Sequence, residues 1–338
     1  MKPTDFSWHL TQFLSRYLPG ERGMSTHTIA SYRFTFILFI GFMEEKKKIT
    51  ATKLLLKHIT KDTVVEFLNY LQVERKCSAA TRNVRLSGLH AFFHFLQYKL
   101  PDHLAEWQSI LSVRVKKTRK ESIRYLSIEA IKLLLEQPDT ATRKGRRDLA
   151  MLSLMYDCAA RVGEIIDLSP DCIRMDKPYT IKLTGKGRKI RIVPLMEEGI
   201  QLLKRYMNEH QLFEPHRRTV PLFYNSRQEK LTRAGINTIL QQYGRMANEK
   251  NPGLIADKIS PHWLRHSKAM HLLQAGVNLV YIRDVLGHES VQTTEIYARA
   301  DSKQKREAIE KAYVNVVKQE IPQWVDNQGL LDWLKSFK

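Results

Sequence analysis

The stretch Ser260-Pro261-His262-Trp263-Leu264-Arg265-His266 decides how this chain is read. Serine is a favoured helix N-cap, and proline, which has no N–H to leave unbonded, suits the first helical position. A helix beginning here puts His262 and Arg265 three residues apart, on one face of its first turn. The unbonded N–H groups and the dipole at a helix start favour negative charge. An imidazole and a guanidinium added to that turn make a place for a phosphate. His262 and His266 are also four apart, a spacing that can hold a metal on a helix. No glutamate lies between them and no third ligand is evident, so a metal site is not expected. His266 and His271 read as packing or surface residues.

Working outward from that turn, Gly276 closes the helix, Asn278 opens the next, and Gly287 ends it after Leu286. His288 then stands just past a helix end. After a Ser290 cap comes Thr293-Thr294-Glu295-Ile296-Tyr297-Ala298, a helical stretch with a tyrosine in it. Taken singly, that histidine and that tyrosine are ordinary structural residues. Upstream, a long helix is expected over about 147–159, followed by Ala160-Arg161-Val162-Gly163-Glu164-Ile165. Tyr179 to Leu183 and Lys189 to Pro194 read as a hairpin joined by Thr184-Gly185-Lys186-Gly187-Arg188. Arg161, Lys186, His262, Arg265, His288 and Tyr297 together supply two guanidiniums, an ammonium, two imidazoles and a phenol. Such a set can hold a phosphodiester, protonate a leaving oxygen and attack phosphorus.

A chain of 338 residues is expected to make two domains. Its net charge of +20 points to a polyanionic partner. Cys77, Cys158 and Cys172 are far apart and form no C-x-x-C pair, which argues against a zinc knuckle or a disulfide framework. Residues 1–10 lack the pattern of a signal peptide, and the apolar run Phe34 to Met43 is about half a membrane span, so it reads as the buried part of a core helix. A cytoplasmic protein with no membrane partner is expected.

Residues 1–113 read as helices alone. Thr26 or Thr28 can cap a first helix through Tyr32, Phe36, Phe39 and Ile40; a second covers Thr63 to Val73; a third starts near Ser78. Arg82 and Arg85 stand one turn apart on that third helix, as a helix lying in a DNA groove requires. Residues 114–124 form a basic linker in which Lys116, Lys117, Arg119 and Lys120 could follow phosphates. From residue 125 onward helices are interrupted by the hairpin. A helix is expected over 302–317, and a short apolar one over 329–337, carrying Leu330, Leu331, Leu334 and Phe337. Such a short helix is rarely stable alone.

In combination, P-H-x-L-R-H-S, L-G-H and the spaced tyrosine resemble the tyrosine recombinase, or phage integrase, family, and in particular its Xer and integrase members. Upstream, the Arg161 segment is similar to the family's first-arginine box, and the Lys186 turn to its lysine hairpin. The resemblance spans nearly the whole chain. It implies a mainly α fold with a small β-hairpin, an α+β catalytic domain, and a two-domain architecture forming a C-shaped clamp on DNA. Residues 1–113 would be the SAM-like core-binding domain, 114–124 the linker, and 125–338 the catalytic domain with a docking helix at 329–337.

By the same resemblance, Arg161, Arg265 and His288 hold the scissile phosphate, Lys186 protonates the leaving 5′-oxygen and His262 accepts or relays the proton of Tyr297. Tyr297 forms a 3′-phosphotyrosyl link, and Glu164 buttresses Arg161. No metal, ATP or other cofactor is implied. The partners implied are double-stranded DNA with paired inverted half-sites and a homotetramer held by exchange of the terminal helix, acting through a Holliday junction. No accessory protein is named by it. A type IB topoisomerase and a catalytically silent DNA-binding regulator share the fold and stand as alternatives. Two departures matter: Ala159 occupies a position where the family often has glycine, with little effect expected, and Lys189 is a second candidate for the acid.

Overall fold

Short hydroxyl side chains decide where the amino-terminal helices begin. The computed structural model describes residues 3–118, 122–185, 187, 189–300 and 335–336. The chain divides into two units, Met1–Glu121 and Ser122–Lys338. In the first unit, α1 (Asp5–Gln12) is capped by Thr4, whose hydroxyl accepts the Ser7 N–H at 3.2 Å. It runs on into a wider π-helical segment over Phe13–Glu21. The next helix, α2 (Thr26–Lys47), is capped by Ser25 rather than by Thr26 or Thr28, because a hydroxyl reaches forward three residues, here to the Thr28 N–H at 3.2 Å. Thr60 and Ser78 cap α3 (Lys61–Val73) and α4 (Ala79–Lys99) in the same way, and α5 (Leu104–Leu111) follows.

The core of this unit is aromatic. Phe13, Phe36, Phe92 and Phe95 are each 2% exposed or less. Phe92 meets Phe13 and Phe36 edge-on, with ring centroids 5.3 and 5.2 Å apart. Each such burial stabilises the fold by roughly 1.5–3 kcal/mol over an exposed ring. The apolar run in α2 is not wholly internal: Phe36, Phe39, Phe42 and Met43 are buried, but Phe34 and Ile37 are exposed. Apolar residues there exceed the width of the buried face.

The second unit opens with α6 (Ile128–Leu135), capped by Ser127, and α7 (Arg143–Asp157), capped by Thr142. The latter starts earlier than periodicity suggested because Thr142 supplies the cap. It stops at Asp157, shortly before Ala159 takes a left-handed φ of 48°. After α8 (Val162–Ile166) come three antiparallel strands, β1 (Ile173–Arg174), β2 (Thr180–Thr184) and β3 (Ile190–Pro194), in the order β1-β2-β3. The expected hairpin is β2 with β3; the two-residue β1 is too short to show a period. Ile181 pairs with Val193 and Leu183 with Arg191, while Lys182 pairs with Ile192.

The unit continues with α9 (Glu197–Glu209), α10 (Arg233–Lys250), α11 (Pro261–Gln274), α12 (Leu279–Leu286) and α13 (Val291–Ala300). Ser260 holds the cap position of α11 without a side-chain capping bond. Asn278 caps α12, and Gly276 and Gly287 take the left-handed conformation that ends the helices before them. A main core includes Leu134, Met151, Ile181, Leu183, Tyr206 and Leu240. A smaller one gathers Ala159, Ala269, Met270, Leu273, Ile282, Leu286 and Tyr297, joining α11, α12 and α13. The helices expected over 302–317 and 329–337 lie outside the described residues, apart from Lys335 and Ser336. Among the described residues, no helix is long and apolar enough to cross a membrane.

Candidate active site

The site is organised by the end of α12. Left-handed Gly287 stops that helix and leaves carbonyls without helical partners. Arg265, from the first turns of α11, donates to Leu286 O and, at 2.7 Å, to Ala159 O. Arg161 reaches Gly287 O at a longer 3.5 Å. Both guanidiniums are therefore drawn to backbone immediately before His288. Its Nδ1 shares a 3.0 Å hydrogen bond with the hydroxyl of Thr294, one turn before Tyr297 on α13. Arg161, Arg265, His288 and Tyr297 are thus linked through neighbouring backbone and one shared helix.

Glu164 holds Arg161 in place from two directions. It accepts the Arg161 N–H at 2.7 Å and Arg161 Nη1 at 2.9 Å. Arg191 on β3 grips the same carboxylate and also donates from Nε to Val285 O at 2.8 Å. Burial alone would raise the Glu164 carboxyl, but Arg191 and then Arg161 outweigh it and hold it below the usual range. Arg191 was not among the residues singled out from sequence. The one available signal was its place between Ile190 and Ile192 on the expected strand.

Burial, reinforced by crowding of like charge, sets the electrostatics. Burial, then Arg161 and Arg191, lower Arg265 to about 9, which leaves it cationic at neutral pH. Burial and the arginines Arg265, Arg161 and Arg191 push His288 down to about 4, so its ring is neutral near pH 7. His262 is lowered by burial and by Arg265, Arg161 and Arg233. Shielded on one side by its neighbours but open to solvent on α11, it makes no hydrogen bond to Tyr297. The phenol instead meets His266: Tyr297 Oη lies 2.8 Å from His266 Nδ1. Sequence reading assigned His266 to packing or surface; it is half-buried with its ring 5.7 Å from that of Tyr297, and it bonds the phenol as well. His271 is a packing residue, buried and bonded through Nδ1 to the Tyr156 hydroxyl at 2.8 Å.

Other expected residues divide by position. Lys186 lies outside the described residues. The residue before it, Gly185, packs so closely on the ion pair that an added Cβ would come within 3.1 Å of Glu164 Oε1. Lys189 is salt-bridged to Glu289 at 2.7 Å. In the first unit, the Arg82 and Arg85 guanidiniums are engaged with other groups of the protein. Arg82 is 4% exposed, with Nη1 on Asn83 Oδ1 and Arg114 O. Arg85 donates to Ser31 O and Thr35 Oγ1, and its guanidinium lies over the Phe34 ring. Arg85 thus joins α4 to α2, whereas Arg82 is held by its own helix and by the chain after α5. Lys116 is tied to the same unit by Asn83, which bonds its N–H and C=O at 3.0 and 2.8 Å, and its Nζ donates to Gln72. Lys117 is exposed; Arg119 and Lys120 lie outside the described residues. No cluster of three or more metal-ligating side chains occurs among the described residues.

Residues 109–304 match the phage integrase family, and residues 10–99 match the phage integrase N-terminal SAM-like domain. The chain belongs to the phage integrase family. Among its relatives, a putative integrase/recombinase, y4rC, of Sinorhizobium fredii is 33% identical over 89% of this chain and 90% of its own length. Tyrosine recombinase XerD of Listeria monocytogenes is 30% identical, covering 83% of this chain and 90% of its own. The structure of the XerH site-specific recombinase bound to difH substrate, a pre-cleavage complex, superposes with a TM-score of 0.65 at 25% identity, covering 89% of this chain and 84% of that one. Among the described residues the fold is mainly helical, with one three-stranded antiparallel sheet.

Proposed function

We propose that this protein is a site-specific DNA recombinase that cuts and rejoins DNA strands with Tyr297 as the nucleophile. The observation that carries this reading is the convergence of Arg161 and Arg265 on the end of α12, beside His288, whose partner Thr294 shares α13 with Tyr297. The XerH relative is bound to its difH substrate, and a net charge of +20 suits a DNA partner here.

In the proposed reaction the two arginines and His288 contact the non-bridging oxygens of one phosphodiester and offset charge growing in the transition state. The Tyr297 oxygen bonds to phosphorus while the bond to the 5′-oxygen breaks. The phenol proton passes to His262, and Lys186 supplies the proton taken by the leaving 5′-hydroxyl. The resulting 3′-phosphotyrosyl ester keeps the energy of the broken bond, so a 5′-hydroxyl from a second strand can reverse the step. Two such exchanges pass through a Holliday junction. The amino-terminal unit acts as a second DNA-binding element, and four protomers assemble on paired inverted half-sites through the terminal helix. The setting is the prokaryotic cytoplasm.

The test uses a randomised inverted-repeat duplex library nicked in its spacer, so that cleavage traps protein on DNA. Covalent adducts are selected, sequenced, and mapped by mass spectrometry. A phosphotyrosyl peptide containing Tyr297, lost in Tyr297→Phe, is expected. An adduct that persists in Tyr297→Phe would overturn the assignment. Two selected sites on one plasmid should exchange partners; relaxation without exchange would instead assign a topoisomerase.

A further inference from the structure

The hydroxyl that must attack phosphorus does not face the solvent from which a phosphate would arrive. Tyr297 is 1% exposed, and its ring belongs to the small core with Ala269, Met270 and Leu286. His262 is exposed, and the Arg161 side chain is 31% exposed. The phenol thus lies inside, with its oxygen 2.8 Å from His266 Nδ1. The His266 and His262 rings are 6.2 Å apart, and the hydroxyl is bonded to the first and not to the second, so it has to move to serve His262.

We propose that His266 is a positioning residue that parks the Tyr297 hydroxyl in a buried rest position and releases it when DNA occupies the site. The inference rests on Tyr297 being the nucleophile. His266 carries its hydrogen on Nε2, and Nδ1 accepts from the phenol. Burial, with His262 and Arg265 nearby, lowers His266 to about 4, so it stays a neutral acceptor at pH 7. Burial likewise raises the Tyr297 phenol, against the pull of Arg265 and Arg161. A protonated, buried phenol is a poor nucleophile, and the chain carries no exposed phenolate before its substrate arrives. Leaving the rest position breaks one neutral hydrogen bond, which sets the size of the expected effect.

Side-chain geometry supplies the variants. In His266→Asn the amide oxygen falls where Nδ1 stands, so the acceptor is kept. In His266→Gln the amide falls where Nε2 stands, and the acceptor is lost while polarity and solubility are kept. His266→Phe retains a ring with no acceptor. Two readouts are needed: nitration of Tyr297 by tetranitromethane in the DNA-free protein, and the single-turnover rate of adduct formation on the nicked duplex selected above. In the native protein Tyr297 should be spared while Tyr98 and Tyr281, 83% and 67% exposed, are modified. In His266→Gln and His266→Phe nitration of Tyr297 should rise and adduct formation should quicken about fivefold, the equivalent of one neutral hydrogen bond. His266→Asn should return both readouts to within about twofold of native.

If Tyr297 is nitrated as readily as Tyr98 in the native protein, the rest position does not exist. If folded, DNA-binding His266→Gln cleaves tenfold slower or at the native rate, His266 is respectively part of the reaction or idle, and the proposal is overturned either way. His266→Gln keeps the test alive should His266→Phe not fold. Persistence of the adduct in Tyr297→Phe marks failure of the functional reading beneath it, which the His266 variants alone cannot produce.

Discussion

Arg191 and Glu164 face each other through two parallel hydrogen bonds, Nη1 to Oε1 at 2.7 Å and Nη2 to Oε2 at 2.8 Å. The side chains are only 10% and 3% exposed. Through this pair the sheet, α8 and the end of α12 are bound to the arginine that would clamp the phosphate. Removing one member of a buried pair leaves a charge poorly compensated. Arg191→Met should therefore cost about 3 kcal/mol, the low end for such a loss because Arg161 remains on Glu164. Adding Glu164→Gln to it should recover part of the loss. Urea unfolding of the two variants checks this, and a single variant as stable as native refutes it.

Acid should weaken the fold in two stages. His266 and His288 both sit at about 4 in the folded protein, whereas unfolded histidines take up protons near ~6.5. From about pH 6.5 down to 4 the unfolded chain binds more protons, so stability falls across that window. Glu164, held below its ordinary 4.5, contributes stability that is complete above 4.5 and is lost as pH falls through its lower folded value. Urea midpoints should decline from pH 7 to 5, and less steeply in His288→Asn. A flat profile over that range would falsify the assignment of neutral, buried imidazoles.

Ala159 bears more strain than its size suggested. Its φ of 48° lies where an L-residue is disfavoured by roughly 1–2 kcal/mol, and its carbonyl anchors Arg265. Ala159→Gly should be close to neutral, since relief of strain is offset by backbone entropy and a lost buried methyl. Ala159→Val, with a branched side chain in a fully buried left-handed position, should lose about 2–4 kcal/mol and slow adduct formation. Thermal unfolding of the two variants separates these outcomes.

DNA binding should respond steeply to salt. If each protomer neutralises roughly 6–10 phosphates, affinity falls by ~10³–10⁵ between 50 and 200 mM salt. Lys117→Ala should reduce the slope by about one charge. Arg82→Met should leave the slope unchanged and alter stability instead, because that guanidinium is buried among Asn83 and Arg114. A slope change with Arg82→Met and none with Lys117→Ala would reverse this assignment.

The hairpin shows why some of the site was legible and some was not. Glycines and alternation mark β2 and β3, so both strands were expected. Alternation also invites the apolar Ile190 and Ile192 to face inward. They are exposed at 61% and 67%, and the buried face pairs Leu183 with Arg191. The inversion arises because Glu164, distant in sequence, compensates an inward arginine. A similar limit applied to Arg82 and Arg85: helical spacing put them on one face, and only tertiary packing set Arg82 against Asn83 and the Arg114 carbonyl and Arg85 against Ser31 and Thr35 of α2.

What was readable from the chain alone is what neighbouring residues enforce: the helix start near Ser78, the stops at Gly276 and Gly287, and the short motifs around Arg161, Arg265, His288 and Tyr297. Those features depend on backbone preferences and on spacings within a turn or two, which local sequence contains. Which imidazole meets the phenol was a different matter. His262 and His266 lie one helical turn apart on α11, and the sequence favoured His262 as the partner of Tyr297. The orientation of α13 against α11 selects His266, and that orientation is fixed by the small core around Ala269, Met270 and Leu286, whose members come together only when the chain folds.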